Sequence, residues 1–190
     1  MPADPFSLDK AKAFLQSAKT ERPIIGKISL KFPEDDEAVA QACGLIQKQL
    51  KEIGLEIELA PRPRRQLRRE VEEENNYDLA YYSWDFANEA YWIWPLLDPA
   101  AAVPGGRNFL GYLNDDILSS LFRKTMTHRE FAVIKQLTHE IHDRLYEQMP
   151  FIPLWQLDTH VAVHSTLNIP VTIDPLLVFT DVETWTLEKK

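Results

Sequence analysis

One aromatic segment, residues 81–94, has the residue types expected at a binding site for a small polar solute. It holds seven of the chain's twenty aromatic side chains and an early carboxylate, Asp85. The carboxylate directly follows a predicted strand, and ligands of open α/β sheets bind at the carboxyl ends of the strands. Aromatic walls exclude water, which strengthens an ion pair between Asp85 and an ammonium group. The structural alternative is that Asp85 caps the next turn or pairs with a nearby arginine.

The five histidines give only a weak metal signal. His139 and His142 are three residues apart on a predicted helix, whereas the zinc-protease pattern needs histidines four apart with a glutamate after the first. On a strand, His160 and His164 lie about 13 Å apart at about 3.3 Å per residue, too far to share one ion. We therefore expect no metal site and no cofactor.

An arginine-rich run is the other charged motif. Five arginines between Arg62 and Arg69 precede four glutamates, and their spacing predicts two ion pairs one helical turn apart. These pairs are Arg68 with Glu72 and Arg69 with Glu73. The run is typical of a solvated helix and not of a phosphate-binding patch.

Signatures of catalysis are absent from the sequence. There is no nucleophile elbow, no phosphate loop and no dinucleotide-binding glycine pattern. The single cysteine, Cys43, lies among apolar residues with no obvious basic partner, which favours a buried, inert thiol. We expect a binding protein and not an enzyme, although folding could still bring two carboxylates together, as in a hydrolase.

The elements that position Asp85 form an α/β pattern. Residues 27–32 and 55–59 alternate between apolar and polar side chains, as strands with one buried face do. Between them lies a helix capped by Asp35 or Asp36 and ended by Gly54, which predicts a parallel βαβ unit. Residues 77–84 are predicted as a third, aromatic strand. The first half therefore predicts an open α/β sheet.

The second half predicts helices followed by strands. After an irregular region, residues 85–113, a short helix begins at Asn114 and a long helix follows a capping box at Thr127 and Glu130. Residues 151–157 and 160–164 are predicted as two short strands, and the proline-punctuated tail is expected to be extended.

Charge and hydropathy exclude several kinds of partner. The 190 residues carry a formal charge of −8, which disfavours nucleic acid and anionic membrane surfaces. No stretch approaches the roughly 20 apolar residues of a membrane span, and the first residues lack the features of a signal peptide.

Six phrases, in order along the chain, resemble the family 5 extracytoplasmic solute-binding proteins of peptide and nickel ABC importers. The second phrase is the most specific, because it joins the end of a helix to the next strand through a glycine. The phrases are 6–12 (FSLDKAK), 45–57 (LIQKQLKEIGLEI), 77–79 (YDL) with 84–85 (WD), 106–108 (GRN) with 111–115 (GYLND), 149–154 (MPFIPL) and Trp185.

The resemblance implies the C-terminal lobe of a type II periplasmic-binding-protein fold, with a mixed open sheet flanked by helices. In that family two lobes close on a peptide or related solute and present it to a membrane permease. By position, Asp85 corresponds to the aspartate that binds the ligand's ammonium. We expect the ligand-binding residues to be Tyr82, Trp84, Asp85, Phe86 and Asn88.

The same resemblance gives the expected organisation of the chain. Residues 1–22 form a lead-in helix, 23–150 the α/β core of the lobe and 151–190 the returning strands and tail. The N-terminal lobe and the export signal are expected to lie outside this chain, and the protein is expected to be periplasmic or extracytoplasmic. A half-cleft buries only part of a ligand, so weak binding is expected from this lobe alone. The alternative role is the ligand-sensing domain of a transcriptional regulator.

Overall fold

The computed structural model describes residues 7–21, 28–84, 90–156, 162–169, 179 and 181–187. The chain divides into two units, Met1–Phe151 and Ile152–Lys190. Among the helices of these ranges, none combines the length and the apolar character needed to cross a membrane.

The first unit contains five α-helices and three strands within the described ranges. The strands are β1 (Ile28–Pro33), β2 (Ile57–Arg62) and β3 (Leu79–Ala80), and the helices are α1 (Leu8–Glu21), α2 (Glu37–Glu52), α3 (Arg64–Arg68), α4 (Asp116–Thr127) and α5 (Phe131–Gln148). A π-helical turn, Arg69–Glu73, continues α3, and 3-10 helices span Ala90–Leu96 and Pro99–Ala101.

The three strands form one parallel sheet in the order β2-β1-β3. Ile28 of β1 lies opposite Ile57 of β2, and Leu30 lies opposite Leu79 of β3. The predicted βαβ unit and the α/β fold class are thus confirmed, and the paired strands of this sheet are all parallel. The third strand is shorter than predicted, because only Leu79–Ala80 pairs with β1 in the ladder.

Helix α2 is positioned by two features that the sequence predicted. The Asp36 side chain accepts a hydrogen bond from the Val39 amide at 3.1 Å, as an N-cap does. At the other end Gly54 has φ = +88°, the left-handed conformation that glycine adopts without strain. Between these two ends, the apolar stripe of α2 packs on the sheet. The buried residues of the helix and of the strands form one apolar cluster: Leu30, Phe32, Val39, Cys43 and Ile57.

The opposite face of β1 corrects two expectations. Lys31 was expected on a solvated face, but it is buried, because α3 and the π-helical turn cover it. That helical segment is not solvated on all sides, since Leu67, Glu70 and Val71 are buried. A strand with neighbours on both sides and helices on both faces is buried all round, as in other α/β sheets.

The ion pairs of this segment follow the prediction in one case. Arg68 Nε lies 3.0 Å from Glu72 Oε2, as predicted, but Arg69 pairs with Glu74 and not with Glu73. In a π-helical turn the backbone hydrogen bonds join residues five positions apart, and not four as in an α-helix. The ion-pair partner of Arg69 is therefore shifted by one position, from Glu73 to Glu74.

Helices α4 and α5 pack against a second apolar cluster. Phe122 is fully buried and its ring lies 5.0 Å from that of Trp94, in the 3-10 helix. The predicted capping box is wrong, because α4 extends to Thr127 and the Thr127 hydroxyl donates to the Lys124 carbonyl. Glu130 is instead the N-cap residue of α5, without a capping hydrogen bond from its side chain.

The second unit has a different local structure from the one predicted. Residues 152–156 and 162–164, together with Phe151 at the end of the first unit, are not in strands, and 157–161 lie outside the described residues. Pro153 removes a backbone donor from the first segment, which disfavours ladder pairing. The described strands are β4 (Leu167–Asn168) and β5 (Thr186–Leu187), which pair antiparallel.

Candidate functional site

A shallow groove lies beside the segment that follows β3. It consists of two adjoining cavities of about 400 and 350 Å³, both lined by Arg68, Glu72 and Trp84. We call it the Trp84 groove. Its other lining residues are Tyr82, Ser83, Gly105, Gly106, Arg107 and Phe109.

Aromatic rings form one wall of the Trp84 groove. The Phe109 ring contacts Tyr82 edge-on at 5.4 Å between centroids, and it contacts Trp84 at 5.5 Å with a 49° tilt. The Tyr77 hydroxyl donates to the Phe109 carbonyl at 2.6 Å and so fixes the backbone that carries this ring. Trp84 remains 37% exposed, so part of its indole is free to contact a ligand.

A carboxylate with both oxygens occupied lies at the base of this wall. Glu72 Oε1 accepts a hydrogen bond from the Tyr82 hydroxyl, and Glu72 Oε2 accepts one from Arg68 Nε at 3.0 Å. Burial and the hydrogen bond to Glu72 raise the pKa of Tyr82 well above its ordinary value. Tyr82 therefore stays protonated and acts as a donor, which fixes the Glu72 side chain.

The loop that carries Gly105, Gly106, Arg107 and Phe109 to the groove is held by Asn108. This side chain is 2% exposed, and its amide donates to the carbonyls of Asp98 at 3.0 Å and Tyr112 at 2.9 Å. Its own carbonyl oxygen accepts from the Tyr112 amide at 3.3 Å. Three hydrogen bonds from one buried side chain thus fix the loop on both sides of Arg107.

Close backbone packing at Gly106 also fixes the position of Arg107. A Cβ atom at Gly106 would lie 2.1 Å from the Ala101 carbonyl oxygen, so only glycine fits without moving the loop. Arg107 itself is exposed, and it makes no ion pair with any residue in the described ranges.

A second buried carboxylate orders the chain after this loop. Asp115 accepts hydrogen bonds from the Leu118 amide at 2.9 Å, the Tyr112 hydroxyl at 2.6 Å and Arg144 Nε at 2.8 Å. Burial opposes ionisation of Asp115, but these donors outweigh it and hold its pKa below the ordinary value. The sequence phrase 111–115 is therefore structural: it caps α4 and attaches that helix to α5.

The groove contains two of the five residues predicted to bind a ligand, Tyr82 and Trp84. Asp85, Phe86 and Asn88 lie outside the described residues.

Sequence reasoning missed the other seven groove residues, and four of them have side chains that shape or charge the groove: Arg68, Glu72, Arg107 and Phe109. The i,i+4 spacing identified Arg68 and Glu72 as a pair, but only the folded chain shows which surface they face.

The described residues show no group of three or more histidine, cysteine, aspartate or glutamate side chains arranged to hold a metal ion. His139 and His142 are exposed on α5.

Neither a protein-family model nor a curated protein sequence matches the chain. Solved structures do match. The oligopeptide-binding protein AppA of Bacillus subtilis, in complex with a nonapeptide, aligns over 100% of this chain with a TM-score of 0.76 and 18% identity. DppA of Helicobacter pylori, in complex with the peptide STSA, aligns over 78% with a TM-score of 0.65 and 22% identity.

A third match binds a sugar. It is an oligopeptide ABC transporter periplasmic binding protein of Thermotoga maritima with bound mannohexaose, and it aligns over 79% of this chain with a TM-score of 0.69 and 17% identity. The chain spans only 40%, 28% and 31%, respectively, of these three proteins. It therefore has the fold of one lobe of the family 5 substrate-binding proteins of ABC transporters, the family that its sequence phrases resemble.

Proposed function

We propose that the chain is the C-terminal lobe of the substrate-binding component of an ABC importer, and that it binds a peptide or a similar small solute. The single observation that carries this proposal is the Trp84 groove, an aromatic and charged surface beside the segment after β3. Ligands of open parallel sheets bind at this end of the strands. The structural neighbours, two of them with bound peptides, support the solute class.

The role proposed is binding and not catalysis. Glu72 is held in place as a hydrogen-bond acceptor, by the Tyr82 hydroxyl at one oxygen and by Arg68 at the other. An aromatic wall with fixed polar groups is the usual composition of a solute-binding surface. The binding protein would act outside the cytoplasm. It would hold the solute between this lobe and an opposing one and then deliver it to a membrane permease.

Five residues are proposed to contact the solute: Tyr82, Trp84, Asp85, Phe86 and Asn88. Asp85 is proposed to bind the ammonium group of a peptide, since it directly follows Trp84 in the chain. The aromatic neighbours would keep water from this ion pair and so strengthen it.

The test is a titration of the isotopically labelled 190-residue chain, followed by NMR, which measures weak binding. The probes are trialanine amide and its N-acetyl derivative, which lacks the ammonium group. We expect the free amine to bind about tenfold more tightly, the scale of one charge-assisted hydrogen bond. Asp85→Asn should remove that difference.

Asp143→Asn is the matched control, because Asp143 is an exposed aspartate on α5. It should leave the preference for the free amine unchanged. If the two probes bind equally to the unaltered chain, or if Asp85→Asn keeps the preference, the role of Asp85 is wrong. If neither probe shifts any resonance, peptide binding by this lobe is wrong.

A further inference from the structure

We infer that the Trp84 groove binds an acidic side chain of the solute through the guanidinium group of Arg107. The inference rests on the proposed function in that the solute is a peptide, and it adds a preference for peptides that contain aspartate or glutamate. The evidence for it is the set of charged side chains that line the groove and the hydrogen-bond or ion-pair partner of each.

The described residues that line the Trp84 groove carry more positive than negative charge, in an acidic protein. Among them, Arg68 and Arg107 accompany a single carboxylate, Glu72, although the whole chain carries −8. Both Glu72 oxygens are already occupied, one by the Tyr82 hydroxyl and one by Arg68. Arg107 is therefore the groove cation that the described carboxylates leave uncompensated.

The backbone that carries Arg107 is ordered before any ligand binds. Asn108 is buried and makes three hydrogen bonds, and Gly106 packs against the Ala101 carbonyl with no room for a side chain. The backbone on both sides of Arg107 is thereby fixed. Because this backbone is already ordered, only the Arg107 side chain has to become ordered when its guanidinium binds a carboxylate through two parallel hydrogen bonds.

The aromatic wall favours an acidic side chain over a free inorganic anion. Trp84 and Phe109 line the same cavity as Arg107, so the methylene groups of a glutamate would contact rings while its carboxylate reaches the guanidinium. Partial exclusion of water by those rings strengthens the ion pair. Glutamine, the amide that matches glutamate in size and shape, would keep the contact with the rings and lose the charge.

The test compares Glu-Glu-Ala amide with Gln-Gln-Ala amide in NMR titrations of the 190-residue chain. The amidated carboxyl end leaves the side chains as the only carboxylates of the probe. We expect the acidic peptide to bind about three- to tenfold more tightly, because a partly exposed charged hydrogen bond is worth that factor. The Trp84 indole N–H resonance should shift with both peptides.

Arg107→Gln should remove the preference for acid over amide, whereas Arg129→Gln should keep it. Arg129 is an exposed arginine just before α5, far along the chain from the groove residues. Equal binding of both peptides to the unaltered chain, or a preference that survives Arg107→Gln, would overturn the inference. A third probe, N-acetyl-Glu-Glu-Ala amide, separates the two proposals, since an acid preference without a free-amine preference supports Arg107 and contradicts Asp85.

Discussion

The two faces of β1 are built in different ways. On the α2 face, Leu30 and Phe32 pack in an apolar cluster with Val39 and Cys43. On the other face, Lys31 is buried 2.6 Å from the Glu70 carboxylate, under the π-helical turn. The first face holds its helix by apolar contact, which tolerates small shifts. The second holds its helix by directional bonds, which define one position.

The charged face determines where the groove lies. Glu70 Oε1 accepts a hydrogen bond from Gln66 at 2.6 Å, and Arg62 Nε lies 3.4 Å from Oε2. Lys31 also donates to the Asn76 carbonyl. The segment from Gln66 to Asn76 is thereby attached to the central strand, and the same segment carries Glu72 into the Trp84 groove.

Glu70→Ala should give the largest effect, because it leaves Lys31 buried without a counter-charge. We expect a loss of about 3–5 kcal/mol in the free energy of unfolding, the cost of breaking a buried ion pair. Urea unfolding followed by circular dichroism measures it. The double variant Lys31→Met with Glu70→Leu should recover most of the loss, since it removes both charges. A single-variant loss below about 1 kcal/mol would contradict the buried pair.

Low pH should reduce the stability contributed by the Lys31–Glu70 face of β1 and leave that of the α2 face unchanged. The hydrogen bond from Lys31, with help from Gln66, lowers the pKa of Glu70 from 4.5 to about 2. The unfolded carboxyl thus binds a proton more readily than the folded one. The stabilisation is complete above about pH 4.5 and is lost as the pH falls to about 2, an effect of the order of 3 kcal/mol.

Unfolding free energies of the unaltered chain and of Glu70→Gln, measured from pH 6 to pH 2, test this linkage. The difference between the two proteins should shrink as the pH falls through that window. A difference that stays constant would show that the Glu70 carboxylate titrates normally in the folded chain.

Val39→Ala should have the smallest effect of the three and should mark the apolar face. Val39 is 6% exposed in the α2 cluster, and removing two methyl groups there is expected to lose about 2 kcal/mol. The loss should be the same at pH 4 and pH 7, because the ionisable side chains that pack in this cluster, Tyr81 and the Cys43 thiol, both have raised pKa values. Burial raises the pKa of that thiol to about 11, so it is neutral at both values. A loss of stability that varies with pH would indicate that a titrating group also contributes to the packing of this face.

Local sequence signals predicted the apolar face well. The alternation in β1, the Asp36 cap and the Gly54 end each act within a few residues, so they are readable without the fold. The charged face was not predictable in this way. Lys31 and Glu70 are 39 positions apart in the chain, and only the packing of α3 on the sheet brings them together.

The groove shows the same division. The aromatic run predicted Tyr82 and Trp84, because a cluster of rings after a strand is visible in the sequence. Arg107 lies in the phrase 106–108, but its place in the groove was not predicted, since that place depends on the loop that Asn108 holds through three hydrogen bonds. The strand predictions were wrong for the described residues 151–156 and 162–164, because apolar composition alone does not supply a pairing partner.

Glu70 and Glu72 are two positions apart, yet one is buried against the central strand and the other lines the groove. Substitutions at Arg68, Glu72 or Arg107 should therefore alter the proposed solute preference while the Lys31–Glu70 attachment stays intact. Because the two sets of contacts are separate, the ligand specificity of such a lobe could change during evolution without a loss of fold stability.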